Sequence, residues 1–503
     1  MPGLSPTSGL SANGVTYATD ASGNITGLAG YPNQSTQNKI VLLGDSITAR
    51  NYQANASQNQ YDGTGYFTWA NALLSQRFLL INEAGVSGNS LTAMAARVQT
   101  EVLAYKPNYC LLMGGINDAA GSVAYTTSKT AIDSIVSAVL GAGITLILCT
   151  ATPSTQLDTA TKIAALYRIN NYYRQLAQTY TGIILADTYA AWADPDNDGQ
   201  PASGMTSDGT HPTYLGAANL GRALFEALQY VVPVSQYPQS QNSLLGNTGN
   251  LVRNGMLSGN NASGANGYVN GTAGNTGTGP NNWATSRTGT AASVSSKVAR
   301  TDWRAGNLWR LAMTGGSNQD RIIAYHDEYF QSWSSGGTAT AQYLVRPTVA
   351  NGCNYRVRTS GSFAAGADPT ASWSTTLGAT FTDGTATLMV VEAINPGDYI
   401  YGQCRLTLGS FSAGAQARIN VRQYDSNPTV LWDSFGMYAD GSSTLPTYIP
   451  PSAVLRTPDS IVLPTCVQIR FYVEVFGTAG VTGNIDIGEV EIRKSLVSTA
   501  FSQ

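Results

Sequence analysis

From Lys39 onward the chain alternates short apolar runs with stretches of helical periodicity, and that alternation restricts the fold more than any other feature. The runs at 40–43, 79–82, 109–113, 145–149 and 182–186 are too short for helices and apolar on consecutive positions, the pattern of strands buried on both faces. Between them, Ile132, Ile135, Val136, Val139 and Leu140 fall on one helical face, as do Ile163, Leu166, Tyr167, Ile169 and Tyr173. A last helix is expected after Pro212, through Leu220, Leu224 and Leu228. Strands and helices in alternation predict a parallel sheet covered on both faces, a three-layer α/β domain over 38–232.

A different pattern follows. Residues 233–249, with Pro233, Pro238 and several Gln and Ser, read as a linker. Beyond it Ala415, Ala417, Ile419 and Val421 alternate with Gln416, Arg418, Asn420 and Arg422, and a second such alternation runs from Val467 to Val475. Period-two patterning predicts antiparallel strands with one face buried, so 250–503 is expected to be an all-β sandwich. The Gly-, Asn- and Thr-rich stretch 255–282 is expected to be a long loop, and residues 1–37 an extended leader or attachment arm.

Only 11% of the residues are charged, against 43% hydrophobic, so uncharged polar side chains and the 53 glycines must supply the solvated surface. A formal charge of −3 offers no basic footprint for nucleic acid, and no apolar run is long enough for membrane insertion. The first 29 residues lack the charged-then-apolar order of a signal peptide, which predicts synthesis in a cytoplasm. Five scattered cysteines without a C-x-x-C pair suggest neither a disulfide framework nor a zinc site, and Cys110 and Cys149 read as small core residues.

Four short segments carry the chemistry. Gly44-Asp45-Ser46-Ile47 follows the first predicted strand, where open α/β sheets place their sites. Taken alone it is equally a turn in which Asp45 or Ser46 caps the next helix. Gly85-Val86-Ser87-Gly88-Asn89 follows the second strand, Gly114-Gly115-Ile116-Asn117-Asp118 the third, and Ser207-Asp208-Gly209-Thr210-His211-Pro212 precedes the last helix. A serine hydroxyl needs an imidazole to take its proton, and a carboxylate three residues before that histidine can fold back to orient the ring. The chain has only two histidines, His211 and His326, and the latter reads as a surface or core residue.

In order and rough spacing these four segments resemble the SGNH (GDSL) hydrolase superfamily over about 38–230, departing mildly at Ile47, where that family carries leucine. The resemblance implies a flavodoxin-like α/β domain and ester hydrolysis, with Ser46 as nucleophile, His211 as base and Asp208 orienting it. It also implies an oxyanion hole made by the backbone N–H of Ser46 and of Gly88 and the side-chain amide of Asn117. Gly85 is the alternative to Gly88. No cofactor or metal is expected: Asp194 to Gly199 opens like a calcium loop, but its twelfth position is Met205, so a polar turn is the better reading.

The opening and closing segments of the second half, around Asn250 to Leu257 with Trp283 and around Asn484 to Ile492, resemble a jelly-roll carbohydrate-binding module. Trp333, flanked by Ser and Gly, is singled out as a substrate contact, whereas most other aromatics there are expected in the core. The function expected is removal of O-acetyl groups from a bacterial surface polysaccharide. A lipid esterase, or a structural glycan-binding tail protein with secondary hydrolysis, is the alternative. The leader from Val15 to Asn24 resembles those of phage tail proteins, which implies a virion setting, homotrimers and other tail proteins as partners, or else an extracellular location.

Overall fold

The computed structural model describes residues 38–232 without a break and most of 252–326 and 397–495; elsewhere it describes only strands between 10 and 27 and between 338 and 389. In the leader, Leu10–Ala12, Val15–Thr19 and Ile25–Gly27 form a small antiparallel sheet.

The five expected strands are present as β1 (Lys39–Gly44), β4 (Leu79–Gly85), β5 (Tyr109–Met113), β6 (Thr145–Cys149) and β7 (Ile183–Ala186). They pair in parallel in the order β7-β6-β5-β1-β4, a doubly wound arrangement whose strand order reverses at β1. Successive residues of β1 face opposite layers: Ile40 and Leu42 enter one core with Leu111 and Ile147, and Val41 and Leu43 enter the other with Cys110, Leu112 and Leu148. Each such fully buried aliphatic side chain contributes about 2 kcal/mol.

Helices α1 (Tyr66–Leu73) and α6 (Tyr214–Leu228) cover the first layer, and α2 (Leu91–Glu101) and α4 (Tyr125–Gly141) the second. The short α3 (Ile116–Ala120) and the long α5 (Ala160–Thr179) complete the set. Thr213, two residues after His211, caps α6 by accepting from the Gly216 N–H at 3.1 Å.

An unexpected hairpin follows β1. Strands β2 (Tyr52–Ala54) and β3 (Gln58–Asp62) leave the α/β layers and add to a sheet of the second half, β3 running parallel to the strand Val430–Tyr438. Asn59 Nδ2 donates to the Asp459 carbonyl at 2.9 Å, and the Ser434 hydroxyl donates to Asn59 Oδ1. Gln76 Nε2 reaches the Val454 carbonyl at 2.6 Å. Trp69, Ala72, Ala217 and Ala218, from α1 and α6, belong to the same buried cluster as Trp283, Trp309, Ile419 and Phe471 of the second half.

That second half is strand-rich. One sheet runs through 308–314, 483–494, 399–408 and 453–456, and the facing sheet through 321–326, 468–477, 415–424 and 430–438, with further strands at their margins. The expected loop at 255–282 instead contributes Asn261–Ala262, Val269–Asn270 and Asn275–Gly279. Sheet pairing is made by backbone groups, so polar and glycine residues that lack apolar periodicity still join an existing edge.

The expectation of one solvated face also fails. Gln416, Arg418, Asn420 and Glu474, on the polar side of the alternation, are buried. Arg418 Nε donates to Glu474 Oε2 at 2.6 Å and its guanidinium stacks on Phe435 and Phe476, and Phe476 packs on Tyr214 of α6. Polar residues can line a covered face when each charge finds a partner.

Candidate active site

The C-terminal ends of β1, β4 and β5, three adjacent strands, carry the first three segments of interest. After Gly44 the chain turns sharply: Asp45 Oδ1 accepts the Ile47 N–H at 3.0 Å, the Asp45 carbonyl accepts the Ala49 N–H at 3.0 Å, and a single 3-10 turn (Thr48–Arg50) follows. Asp45 therefore stabilises the turn, and Ser46 at its apex stays partly accessible.

The fourth segment is a tight loop clamped to the segment that follows β6. Ser207 N–H donates to the His211 carbonyl at 2.9 Å, Thr155 N–H donates to the Gly209 carbonyl at 3.0 Å, and the Ser154 and Thr210 hydroxyls lie 2.6 Å apart. Inside the loop Asp208 Oδ1 accepts the N–H groups of Thr210 at 3.0 Å and His211 at 2.8 Å, while Oδ2 faces His211 Nδ1 at 2.7 Å. The other ring nitrogen, Nε2, lies 2.8 Å from Ser46 Oγ, across 165 residues of sequence.

Partial burial works to raise the Asp208 carboxyl, but the backbone and ring donors of His211 and the Thr210 N–H outweigh it and hold the group down at about 2. An ionised Asp208 keeps the proton on Nδ1, which leaves Nε2 to accept from the serine hydroxyl. Residues 42–218 match the GDSL-like Lipase/Acylhydrolase family.

A stretch of 86 residues of the chain is 31% identical to an acetylxylan esterase of Geobacillus stearothermophilus, covering 16% of this chain and 39% of that protein. The chain thus spans well under half the length of that curated relative. Among solved structures it is similar to a catalytic mutant of the acetylxylan esterase Axe2 of the same organism, at 21% identity over 40% of this chain and 98% of that one, with a TM-score of 0.33. A lipase/acylhydrolase from Enterococcus faecalis is 22% identical over 40% of this chain and 99% of its own, with a TM-score of 0.31.

In the GDSL-like domain the two remaining candidate residues flank the serine turn. Gly88 sits in the turn 86–89, closed by Asn89 N–H donating to the Val86 carbonyl at 3.1 Å, and that turn is tied to β1 by Val86 N–H donating to the Gly44 carbonyl at 3.1 Å. Its φ of +76° accounts for the glycine; a β-carbon built there would meet nothing within 4 Å, so backbone conformation rather than crowding within the protein demands it. Gly85, by contrast, is packed against the Ala49 backbone, a role in packing. Asn117 lies in the first turn of α3, and its Nδ2 donates to the Asn89 carbonyl at 3.0 Å, which leaves the second amide hydrogen for another acceptor.

Around these residues lies a buried polar layer. Asp118 accepts the Leu91 N–H that begins α2 and the Ser128 hydroxyl, both at 2.9 Å, and Thr48 shares a hydrogen bond of 2.9 Å with the Tyr66 hydroxyl. Burial, reinforced by nearby Asp118, raises the Asp45 carboxyl to about 7 despite the Ile47 N–H. Asn89 was not legible as part of the site, since nothing in its sequence neighbourhood marks a carbonyl that receives Asn117.

Away from the cleft, the Asp194 carboxylate closes a polar turn by accepting the Asp196 N–H at 3.0 Å and Asn197 Nδ2 at 2.8 Å. Among the described residues no group of three or more His, Cys, Asp or Glu stands together as metal ligands do. His326 ends a strand, in register with Trp283. Trp333 lies outside the described residues. Cys110, Cys149, Cys404 and Cys466 are buried. No described helix is long and apolar enough to cross a membrane.

Proposed function

We propose that the protein is a serine esterase that removes short acyl groups, O-acetyl above all, from a polysaccharide. The reading rests on one observation, the unbroken relay from Asp208 through His211 to Ser46 with contacts of 2.7 and 2.8 Å. Ser46 Oγ attacks the ester carbonyl as His211 Nε2 takes its proton, and Asp208 holds the imidazolium that forms. The backbone N–H groups of Ser46 and Gly88 and the Asn117 amide receive the oxyanion. His211 returns the proton to the departing sugar hydroxyl, and a water activated by the same imidazole releases the acid.

The substrate class draws on two supports. The match to an acetylxylan esterase favours an acetylated glycan over a lipid. The second half supplies a candidate glycan-holding unit: within its two eight-stranded sheets, the neighbouring strands 308–314, 483–494, 399–408 and 453–456 of one and 321–326, 468–477, 415–424 and 430–438 of the other support a jelly-roll reading. The phage-tail setting and the trimer rest on the leader sequence, and a monomeric mass by light scattering counts against them.

The test compares wild type with Ser46→Ala on an O-acetylated bacterial polysaccharide and on p-nitrophenyl palmitate, following acetate release and polysaccharide binding separately. The expected result is acetate release by wild type only, binding by both, and no palmitate hydrolysis. Hydrolysis retained in Ser46→Ala overturns the mechanism, and palmitate cleavage without acetate release overturns the substrate class.

A further inference from the structure

Arg97, on α2, is drawn away from solvent and spends its guanidinium on the backbone behind the cleft. Its side chain is 17% exposed. Nη2 donates to the Gly44 carbonyl at 3.2 Å, the last residue of β1 and two before Ser46. Nη1 donates to the Ala84 carbonyl at 3.1 Å, near the end of β4, and pairs with Glu101 one turn along the helix. Nε donates to Asn89 Oδ1 at 3.0 Å.

These contacts converge. The Gly44 carbonyl that Arg97 holds also receives the Val86 N–H, and it leads into the Ser46 turn. The Asn89 side chain that Arg97 holds belongs to the residue after Gly88, and the Asn89 carbonyl receives Asn117 Nδ2. One planar cation thus spans the ends of two parallel strands and the loop on which Asn117 leans. All three donors assigned to the oxyanion are set relative to one another through it. A lysine, with one nitrogen, cannot bridge acceptors on two strands and a loop in a fixed plane.

We propose that Arg97 is a positioning residue that sets the spacing of the Ser46, Gly88 and Asn117 donors, acting through Gly44, Ala84 and Asn89 rather than by touching substrate. The proposal rests on the esterase reading for its kinetic consequence but not for its structural one. Losing the clamp loosens the hole, so the loss appears in kcat, which depends on donors aimed at the transition state, and little in KM.

The experiment uses the full chain with Arg97→Met, Arg97→Lys, Asn117→Ala and the Arg97→Met/Asn117→Ala pair. Kinetics are measured on p-nitrophenyl acetate, with melting followed by circular dichroism and hydrogen exchange by mass spectrometry over 84–91. Arg97→Met is expected to lose about 30- to 300-fold in kcat with KM within about threefold, and Arg97→Lys to recover only part of the loss. The double variant is expected to lose much less than the product of the single losses, because a disordered hole has little left to lose. Exchange over 84–91 is expected to rise at least about tenfold in Arg97→Met while α4 and α5 keep their protection.

A kcat loss that multiplies with that of Asn117→Ala, or full activity in Arg97→Lys, overturns the proposal. If wild type cleaves no ester the esterase reading falls, and the exchange measurement still decides: unchanged protection over 84–91 in Arg97→Met overturns the clamp, and if the variant does not fold the decision passes to Arg97→Lys.

Discussion

Gly209 and Thr155 are in such close contact that a β-carbon on Gly209 would stand 1.9 Å from the Thr155 hydroxyl. Gly209 also has a φ of +88° and lies between Asp208 and Thr210, inside the loop that presents His211. Gly209→Ala must therefore both strain its backbone and push the loop off Ser154 and Thr155. The expected outcome is a loss of about 2 kcal/mol or more in urea unfolding and at least a tenfold fall in kcat. Thr155→Ser, which removes only a methyl group, is expected to leave both nearly unchanged.

Asn117 offers a cleaner separation of chemistry from stability. Its amide is partly accessible, and its Asn89 contact replaces only one of its two hydrogens. Asn117→Ala is expected to lower kcat by about 100- to 1,000-fold with KM little changed and the melting temperature within a few degrees. Steady-state kinetics alongside calorimetry check this, and a loss confined to KM would argue against a role in the oxyanion hole.

Two carboxyls, the buried Asp45 and the half-buried Glu83, predict an unusual pH dependence of stability. Burial lifts Asp45 to about 7 and Glu83 to about 8, against the Ile47 N–H in one case and the Gly85 N–H and Arg97 in the other. A carboxyl whose folded value is raised binds its proton more tightly in the native state. Its contribution is fully present below the unfolded value near 4 and is lost as pH rises through the folded value. The protein is therefore expected to lose stability between about pH 4 and 8. Asp45→Asn, neutral at every pH, is expected to remove up to roughly 4 kcal/mol of that fall. Urea unfolding of both proteins at pH 5 and 8 tests it, and equal slopes would refute the assignment. Asp208 has the opposite sign: held at about 2, it stays ionised throughout this window.

Asn59 links the halves. Buried between Asp459, Ser434 and the Trp432 indole, it loses three partners on mutation to alanine. Asn59→Ala is expected to cost about 2–3 kcal/mol, because the polar groups left behind stay buried. With Trp69 of α1 in the same cluster as the core of the second half, wild type is expected to melt in one calorimetric transition. Two well-separated transitions would show that the hairpin does not couple the halves.

Much of the α/β domain was legible because its strands are buried on both faces, which leaves continuous apolar runs such as Ile40 to Leu43 that nothing else explains. The site segments were legible for a local reason: Asp208 and His211 lie three residues apart, and each segment follows a strand or precedes a helix. The hairpin at 52–62 was hidden because Gln58, Asn59 and Gln60 have no apolar alternation, and their partners lie hundreds of residues away. Arg97 was equally hidden, since an arginine on a helix reads as surface until its three carbonyl and amide acceptors are brought beneath it.

By itself the sequence determined the alternation of strand and helix, the order of the four site segments and the antiparallel character of the strands at 415–424 and 468–477, because each depends on periodicity or on neighbours a few residues away. The tertiary structure alone decided that Ser46 meets His211 across 165 residues, that Asn89 and Arg97 stand behind the donors, and that a hairpin from the first half completes a sheet of the second. Those relations are set by which strand ends lie side by side, and chain geometry carries no local signal of that adjacency until the sheet has formed.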